Sequence, residues 1–109
     1  ANDLHGGRVL LITTDQRLRM RLTMLLPNWG LRVTAVENTH DALERLRMAN
    51  SQGEPWSYSV VLADLGSIRS TAVALARNLE RKNQYGEARL VYLRGEEGVS
   101  PELPKGASV

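Results

Sequence analysis

The sequence predicts an α/β fold in which helices cover both faces of an open parallel sheet. Short apolar runs alternate with amphipathic stretches along the chain. The first apolar run is continuously aliphatic, as in strands that are buried on both faces of a parallel sheet. Each amphipathic stretch is long enough for a right-handed crossover between parallel strands. The predicted order is therefore β-α-β-α-β-α-β.

The first strand is predicted over residues 8–13, RVLLIT. Residues 1–7 before it are polar and rich in glycine, as expected of a linker. The helix after the first strand has one apolar stripe, and a proline, an asparagine and a glycine end it. We expect its inward residues to be Leu18, Leu22, Leu25 and Leu26.

Residues 31–37 alternate between apolar and polar side chains and predict the second strand. The second helix starts after Asn38 or Thr39, either of which can serve as its N-cap. Its apolar face consists of Ala42, Leu43, Leu46 and Ala49.

The third strand is predicted over residues 58–65 and the fourth over 88–93. Between them lies a third helix, which frays into RKNQYG at 81–86. Its inward residues are Ala72, Leu75, Ala76 and Leu79. Residues 8–109 are predicted to form one domain. The chain after Arg94 is broken by prolines and glycines, so we expect the C-terminal elements to be shortened or truncated.

Composition excludes several classes of protein. The chain has 109 residues, no cysteine and a net charge of +2. It therefore has no disulfide and no thiolate metal site. Arg17, Arg19 and Arg21 alternate along a helix and do not form one stripe, so we expect no nucleic-acid partner. No apolar run is long enough for a membrane span. We expect a cytoplasmic domain with no direct membrane insertion, whose parent protein could still be membrane-anchored.

Ligand sites of open parallel sheets lie at the carboxyl ends of the strands. Three such ends carry polar residues: TTD at 13–15, ADLG at 63–66 and LRGE at 93–96. Asp64 is the strongest feature, because a carboxylate that closes an apolar strand must emerge at the rim of the sheet or be paired. Two interpretations remain open: a nucleophile or metal ligand, and a cap of the following turn.

The chain contains the segments RVLLITTDQRLRMRLTMLL, LRVTAVENTHDALERL and YSVVLADLGSIRSTAVALARNL. These three segments resemble the receiver domain of two-component response regulators, which has a flavodoxin-like fold. The lead-in DLHGGRVLLI resembles the junction between kinase core and receiver in hybrid sensor histidine kinases. The resemblance covers residues 4 to about 95.

The resemblance implies that Asp64 accepts a phosphoryl group from a kinase histidine, with Mg²⁺ stabilising the transition state. The sequence departs from the family where that metal is held. Thr13 and Thr14 occupy the positions of the usual acidic pair, and Asp15 comes one position later. Mg²⁺ requires one or two carboxylates in a near-octahedral site. We therefore expect no metal, and Asp15 and Asp64 are the candidate ligands if one binds.

Other departures concern the remaining working positions of the family. Arg94 stands at the switch position, which is usually Thr or Ser. We hypothesise an ion pair between Arg94 and Asp64, and the alternative is an Arg94 side chain that points into solvent. Lys105 does not match the family's lysine. Ile68 and Ala72 replace the usual Pro and Gly in the loop after the acceptor.

Together these departures predict a pseudo-receiver: not an enzyme, without a cofactor, and active through protein–protein contacts. Its partners would be a histidine kinase core or other signalling domains, in cis or in trans. One alternative is a working phosphoacceptor, in which Asp15 supplies the missing carboxylate and Mg²⁺ binds weakly. A further alternative is a sensor of small anionic ligands that uses Arg8, Arg69 and Arg94.

Overall fold

A computed structural model describes residues 7–53 and 56–93 and confirms the predicted α/β class. Four strands form one all-parallel sheet in the order β2-β1-β3-β4. They are β1 (Arg8–Ile12), β2 (Arg32–Val36), β3 (Val60–Asp64) and β4 (Arg89–Leu93). This architecture is consistent with a flavodoxin-like fold. Most of the predicted linker and the C-terminal elements after β4 lie outside the described residues.

Five α-helices connect the strands within the described part of the chain. They are α1 (Gln16–Leu25), α2 (Thr39–Gln52), α3 (Leu65–Ile68), α4 (Ala72–Leu79) and α5 (Lys82–Tyr85). Two 3₁₀ segments, Leu26–Trp29 and Arg69–Thr71, follow α1 and α3. None of these helices is long and apolar enough to cross a membrane.

The stretch after α4 was predicted to fray, and this prediction is wrong, because α5 forms a single turn there. Asn50 of α2 explains the turn: its Nδ2 donates hydrogen bonds to the carbonyls of Asn83 (3.0 Å) and Gln84 (3.1 Å). These carbonyls belong to a helix too short to satisfy them internally. A contact this remote in sequence cannot be read from local pattern.

The core lies on both faces of the sheet, because successive side chains of each strand point to opposite sides. The larger cluster joins β1, β3 and β4 to α2 and α4 and includes Leu10, Leu46, Val61, Leu75 and Tyr92. The smaller cluster lies on the face covered by α1 and is formed by Val9, Leu26, Leu31 and Val60. Helices thus cover both faces, as predicted.

Helix α1 is the least buried of the long helices. None of its residues is fully buried, and Leu18 and Leu22 are half-buried. Leu25 was expected to point inward, but its side chain is 38% exposed. Leu26, which opens the 3₁₀ segment, is buried in its place. Because the chain tightens into a 3₁₀ turn before Pro27, Leu26 enters the core and the adjacent Leu25 does not.

Polar contacts fix the start of α2. Asn38 is the N-cap, and its Oδ1 accepts a hydrogen bond from the backbone N–H of Asp41 at 2.8 Å. Thr39, the other predicted cap, is the first helical residue, and its Oγ1 lies 2.7 Å from Oγ1 of Thr71. Because Thr71 Oγ1 donates to the carbonyl of Ile68 (2.6 Å), the Thr39 hydroxyl is the donor to Thr71.

The buried Tyr92 side chain makes the stability of the folded protein depend on pH in the alkaline range. Its side chain is 2% exposed and its hydroxyl donates to the carbonyl of Ala72 at 3.3 Å. Burial raises the pKa of the Tyr92 phenol above its ordinary value of 10.0. The folded protein therefore keeps this proton to higher pH than the unfolded chain does. The stabilisation is fully present below pH 10.0 and is lost as pH rises through the folded-state pKa.

We expect the free energy of unfolding to fall more steeply above about pH 10 in the native protein than in Tyr92→Phe. Urea unfolding of both proteins at neutral and alkaline pH measures the difference. Equal alkaline losses in the two proteins would show that the Tyr92 phenol does not contribute.

Candidate functional site

The parallel register of β1 and β3 brings two polar residues together at the carboxyl end of the sheet. Asp64 is the last residue of β3, and Thr13 directly follows β1. Both side chains are buried, with Thr13 1% exposed and Asp64 8% exposed. A carboxylate buried to this extent is stable only if hydrogen bonds or charges replace its water.

Three donors from the described residues surround the Asp64 carboxylate. The hydroxyls of Thr13 and Ser67 both donate to Oδ2 at 2.8 Å, and the backbone N–H of Gly66 donates to Oδ1 at 3.2 Å. Ser67 is in position because Asp64 is also the N-cap of α3, and the helical turn carries the third residue of α3 back over the cap. We call Thr13, Thr14 and Ser67 the hydroxyl cage.

The hydrogen bonds of the cage determine where the hydroxyl protons of Thr13 and Ser67 point. Ser67 Oγ accepts from the backbone N–H of Thr14 (2.8 Å) and lies 3.0 Å from Thr14 Oγ1, which can donate to it. With its proton on Asp64, Ser67 uses its one donor and both acceptor positions. Thr13 Oγ1 accepts from the backbone N–H of Asp15 at 3.0 Å and donates to Asp64. The network therefore aims two hydroxyl protons at the same carboxylate oxygen.

Asp15 has a different role at this end of the sheet. Its side chain is exposed and caps α1, with Oδ1 accepting from the backbone N–H groups of Arg17 (2.9 Å) and Leu18 (3.2 Å). Capping by Asp stabilises a helix by about 1 kcal/mol. Within residues 7–53 and 56–93, no group of three His, Asp or Glu side chains is placed to hold a metal ion. Asp64 thus belongs to no such group of three among these residues.

The described residues also place no cation on Asp64. The ion pair found among them joins Arg47 and Glu44 at 2.7 Å, on the surface of α2. Arg94, the hypothesised partner of Asp64, and Lys105 lie outside the described residues. The Arg94–Asp64 ion pair stays a prediction.

The arginines of the anion-sensing alternative are not gathered at one site. Arg8 begins β1 at the amino end of the sheet, where its guanidinium stacks 4.4 Å from the Tyr58 ring and donates to the carbonyl of Trp56. Arg69 follows α3 near the carboxyl end, and its Nε donates to the carbonyl of Gly66 at 2.9 Å. Arg8 and Arg69 therefore cannot contact one small ligand together.

Sequence reasoning identified Asp64, Thr13 and Thr14 but missed Ser67. The available signal was the spacing Asp64-x-x-Ser67 after a strand, because an Asp at the start of a helix and a residue three positions later lie on the same side of the first turn. In the structure Ser67 supplies one of the two hydroxyl groups that donate to Asp64, and Thr13 supplies the other.

This arrangement favours a structural role for the Asp64 carboxylate, as the cap of α3, over a role as a nucleophile or metal ligand. A cation at Oδ2 would have to displace two hydroxyl protons, and the cage offers neutral oxygens in return. Among the described residues Oδ1 accepts from Gly66 alone, and Asp64 as a whole is 8% exposed.

No protein-family model matches the chain, and no curated protein is similar enough to count as its relative.

Proposed function

We propose that this domain is a pseudo-receiver, which keeps a receiver-like scaffold and acts through protein contacts without efficient phosphorylation. The hydroxyl cage carries the proposal. Thr13 and Ser67 direct their protons at the Asp64 carboxylate, where a receiver would need metal and phosphoryl oxygens.

The second support is electrostatic. Phosphoryl transfer depends on positioning and on neutralising the charge of the transferred group, chiefly by metal ions. The acidic side chain nearest in sequence to β1 is Asp15, and its Oδ1 is engaged with the first turn of α1. A Mg²⁺ ion beside Asp64 would thus have one carboxylate and neutral hydroxyls as protein ligands, which is a poor set for this cation.

In this proposal the partners are a histidine kinase core or other signalling domains, and the module acts in the cytoplasm as part of a hybrid kinase or a related protein. It binds no nucleic acid and catalyses no reaction itself. The support is the resemblance of three segments to receiver domains, together with the parallel sheet order.

The test is an amide chemical-shift titration of the chain with about 10 mM Mg²⁺, followed by Mg²⁺ with beryllofluoride as a phosphoryl mimic. We expect no shifts at residues 13–15 and 64–67 beyond those of an Asp64→Asn control. Saturable shifts at these residues that vanish in Asp64→Asn would overturn the proposal and favour the working phosphoacceptor.

A further inference from the structure

Strand β2 forms one edge of the sheet. The strand order is β2-β1-β3-β4, and within residues 7–53 and 56–93 only β1 pairs with β2. The backbone N–H of Arg32 donates to the carbonyl of Gly7 at 2.9 Å, and the carbonyl of Val36 accepts from the N–H of Thr13 at 2.9 Å. The first and last residues of β2 therefore direct these backbone groups toward β1.

The residues between them alternate in direction, because successive residues of a strand point their N–H and C=O groups to opposite sides. Thr34 consequently faces β1, whereas the backbone groups of Val33 and Ala35 face away from the sheet. These two N–H and two C=O groups have no strand partner among the described residues. Such a row is a template for a further strand, and β2 contains no proline that would prevent pairing.

This outer edge of β2 is complementary to itself. A second copy can lie with its β2 antiparallel to the first, about a two-fold axis at Thr34. Val33 of each copy then faces Ala35 of the other, and each such pair exchanges two N–H···O bonds. Val33 packs on the smaller core cluster, and Ala35 lies on the same face of the sheet, so apolar side chains face each other there. Every contact occurs twice, as in other isologous interfaces.

On the other face of the sheet, a groove adjoins the carboxyl end of β2. It has a volume of about 280 Å³ and is lined by Val36, Asp41, Glu44, Arg45 and Met48. Its two carboxylates and one guanidinium leave an excess of negative charge. Glu44 pairs with Arg47 at 2.7 Å, whereas Asp41 forms no ion pair with a described residue and accepts from Asn38 Nδ2 at 3.3 Å.

The same two-fold arrangement brings a positive charge to each groove. It places Arg32 of one copy opposite Val36 of the other, in a pair without mutual hydrogen bonds, where facing residues lie closest. Side chains of facing residues lie on the same face of a sheet, and Val36 lines the groove. The exposed Arg32 side chain therefore extends into the groove of the second copy, toward Asp41.

We propose that this chain forms a symmetric dimer through β2, in which the two four-stranded sheets join into one continuous sheet. Arg32 of each copy occupies the groove of the other. The contact is small, so we expect a weak dimer with a dissociation constant of about 100 µM. This inference goes beyond the proposed function, because none of its residues belongs to the hydroxyl cage.

Sedimentation equilibrium of the full chain, from about 10 µM to about 1 mM, measures the association. We expect a monomer–dimer equilibrium, and the amides of Val33 and Ala35 should exchange more slowly at the higher concentration because they gain partners. A chain that stays monomeric throughout this range would overturn the inference.

Ala35→Pro tests the backbone pairing. The substitution removes a donor that points away from the sheet and retains the hydrogen bonds between β1 and β2, as proline does on edge strands. We expect association to weaken at least about tenfold, with cooperative urea unfolding as evidence that the variant is folded. A folded variant that dimerises like the native chain would mean that another surface is used.

Charge reversal tests the register and does not depend on the proline variant. Arg32→Glu and Asp41→Arg should each weaken self-association about tenfold, because like charges then meet in both grooves. A mixture of the two variants should restore dimers, since both contacts of the mixed dimer again join opposite charges. Arg77→Glu, at an exposed position of α4, makes the same charge change as Arg32→Glu and should leave association unchanged. A mixture that stays monomeric would overturn the proposed register.

Discussion

Replacing both threonines of the cage by aspartate, in Thr13→Asp with Thr14→Asp, should convert the site into one that binds Mg²⁺. Thr13 Oγ1 lies 2.8 Å from Asp64 Oδ2, so a carboxylate at residue 13 would face the Asp64 carboxylate across a short gap. Residue 14 is exposed and adjoins Ser67, which leaves room for a second carboxylate and for metal-bound water. Together with Asp64 this supplies the charged oxygen ligands that Mg²⁺ requires.

The expected readout is stability as a function of Mg²⁺. Without metal, the added carboxylates repel Asp64, and the double variant should unfold at lower urea than the native protein. A cation that binds only the folded state stabilises it by mass action. For a dissociation constant of about 1 mM, about 10 mM Mg²⁺ should raise the free energy of unfolding by about 1.4 kcal/mol. The native protein should show no such response.

A matched control adds Asp64→Asn to the double variant. This triple variant keeps both new aspartates but loses the central carboxylate, and its response to Mg²⁺ should largely disappear. Two results would count against the hydroxyl cage as a barrier to Mg²⁺ binding. One is stabilisation of the native protein by Mg²⁺ in the same range, and the other is a folded double variant that ignores the metal.

The sheet could be predicted from sequence because its signals are local. The aliphatic run of β1, the alternation in β2 and the apolar run that ends at Asp64 each specify a strand without reference to the rest of the chain. The errors fall where distant contacts decide. Helix α5 depends on Asn50, which is more than thirty residues away, and the exposure of Leu25 depends on how α1 lies on the sheet.

The site was predictable in location but not in detail. That Thr13 and Asp64 follow neighbouring parallel strands can be inferred from the βαβ pattern. Whether Asp64 meets a cation, a metal or a hydroxyl depends on the turn after β3, which brings Ser67 back by one helical turn. Asp15 could likewise cap α1 or face the site, and the geometry of the turn after β1 selects the cap.

We expect Asp64→Asn to lower the free energy of unfolding by about 1–3 kcal/mol, the usual cost of disrupting a buried hydrogen-bonded group. The native carboxylate accepts from three donors, and it has no donor of its own that the site must satisfy. An amide has one oxygen and one NH₂ group, so it cannot accept all three bonds. Urea unfolding of the two proteins at neutral pH measures the difference.

Either orientation of the new amide creates a conflict. With its NH₂ group toward Gly66, two N–H donors face each other and the Oδ1 bond is lost. With its NH₂ group toward the cage, it meets the Thr13 and Ser67 hydroxyls, and both acceptor positions of Ser67 are already taken by Thr14. The first orientation costs less, because it retains the two hydroxyl bonds in weaker, uncharged form.

Whether Asp64→Asn raises or lowers the free energy of unfolding distinguishes a carboxylate stabilised by hydroxyl groups from one repelled by other carboxylates. Where several carboxylates share a pocket, neutralising one relieves repulsion and stabilises the protein. Here the hydroxyls of Thr13 and Ser67 already stabilise the negative charge of Asp64, so neutralising Asp64 weakens these hydrogen bonds instead. Glu37→Gln, which neutralises an exposed carboxylate after β2, serves as the control and should change stability by less than about 0.5 kcal/mol. If Asp64→Asn is more stable than the native protein, other negative charges repel the Asp64 carboxylate. Such repulsion is typical of an acidic pocket that can bind a cation.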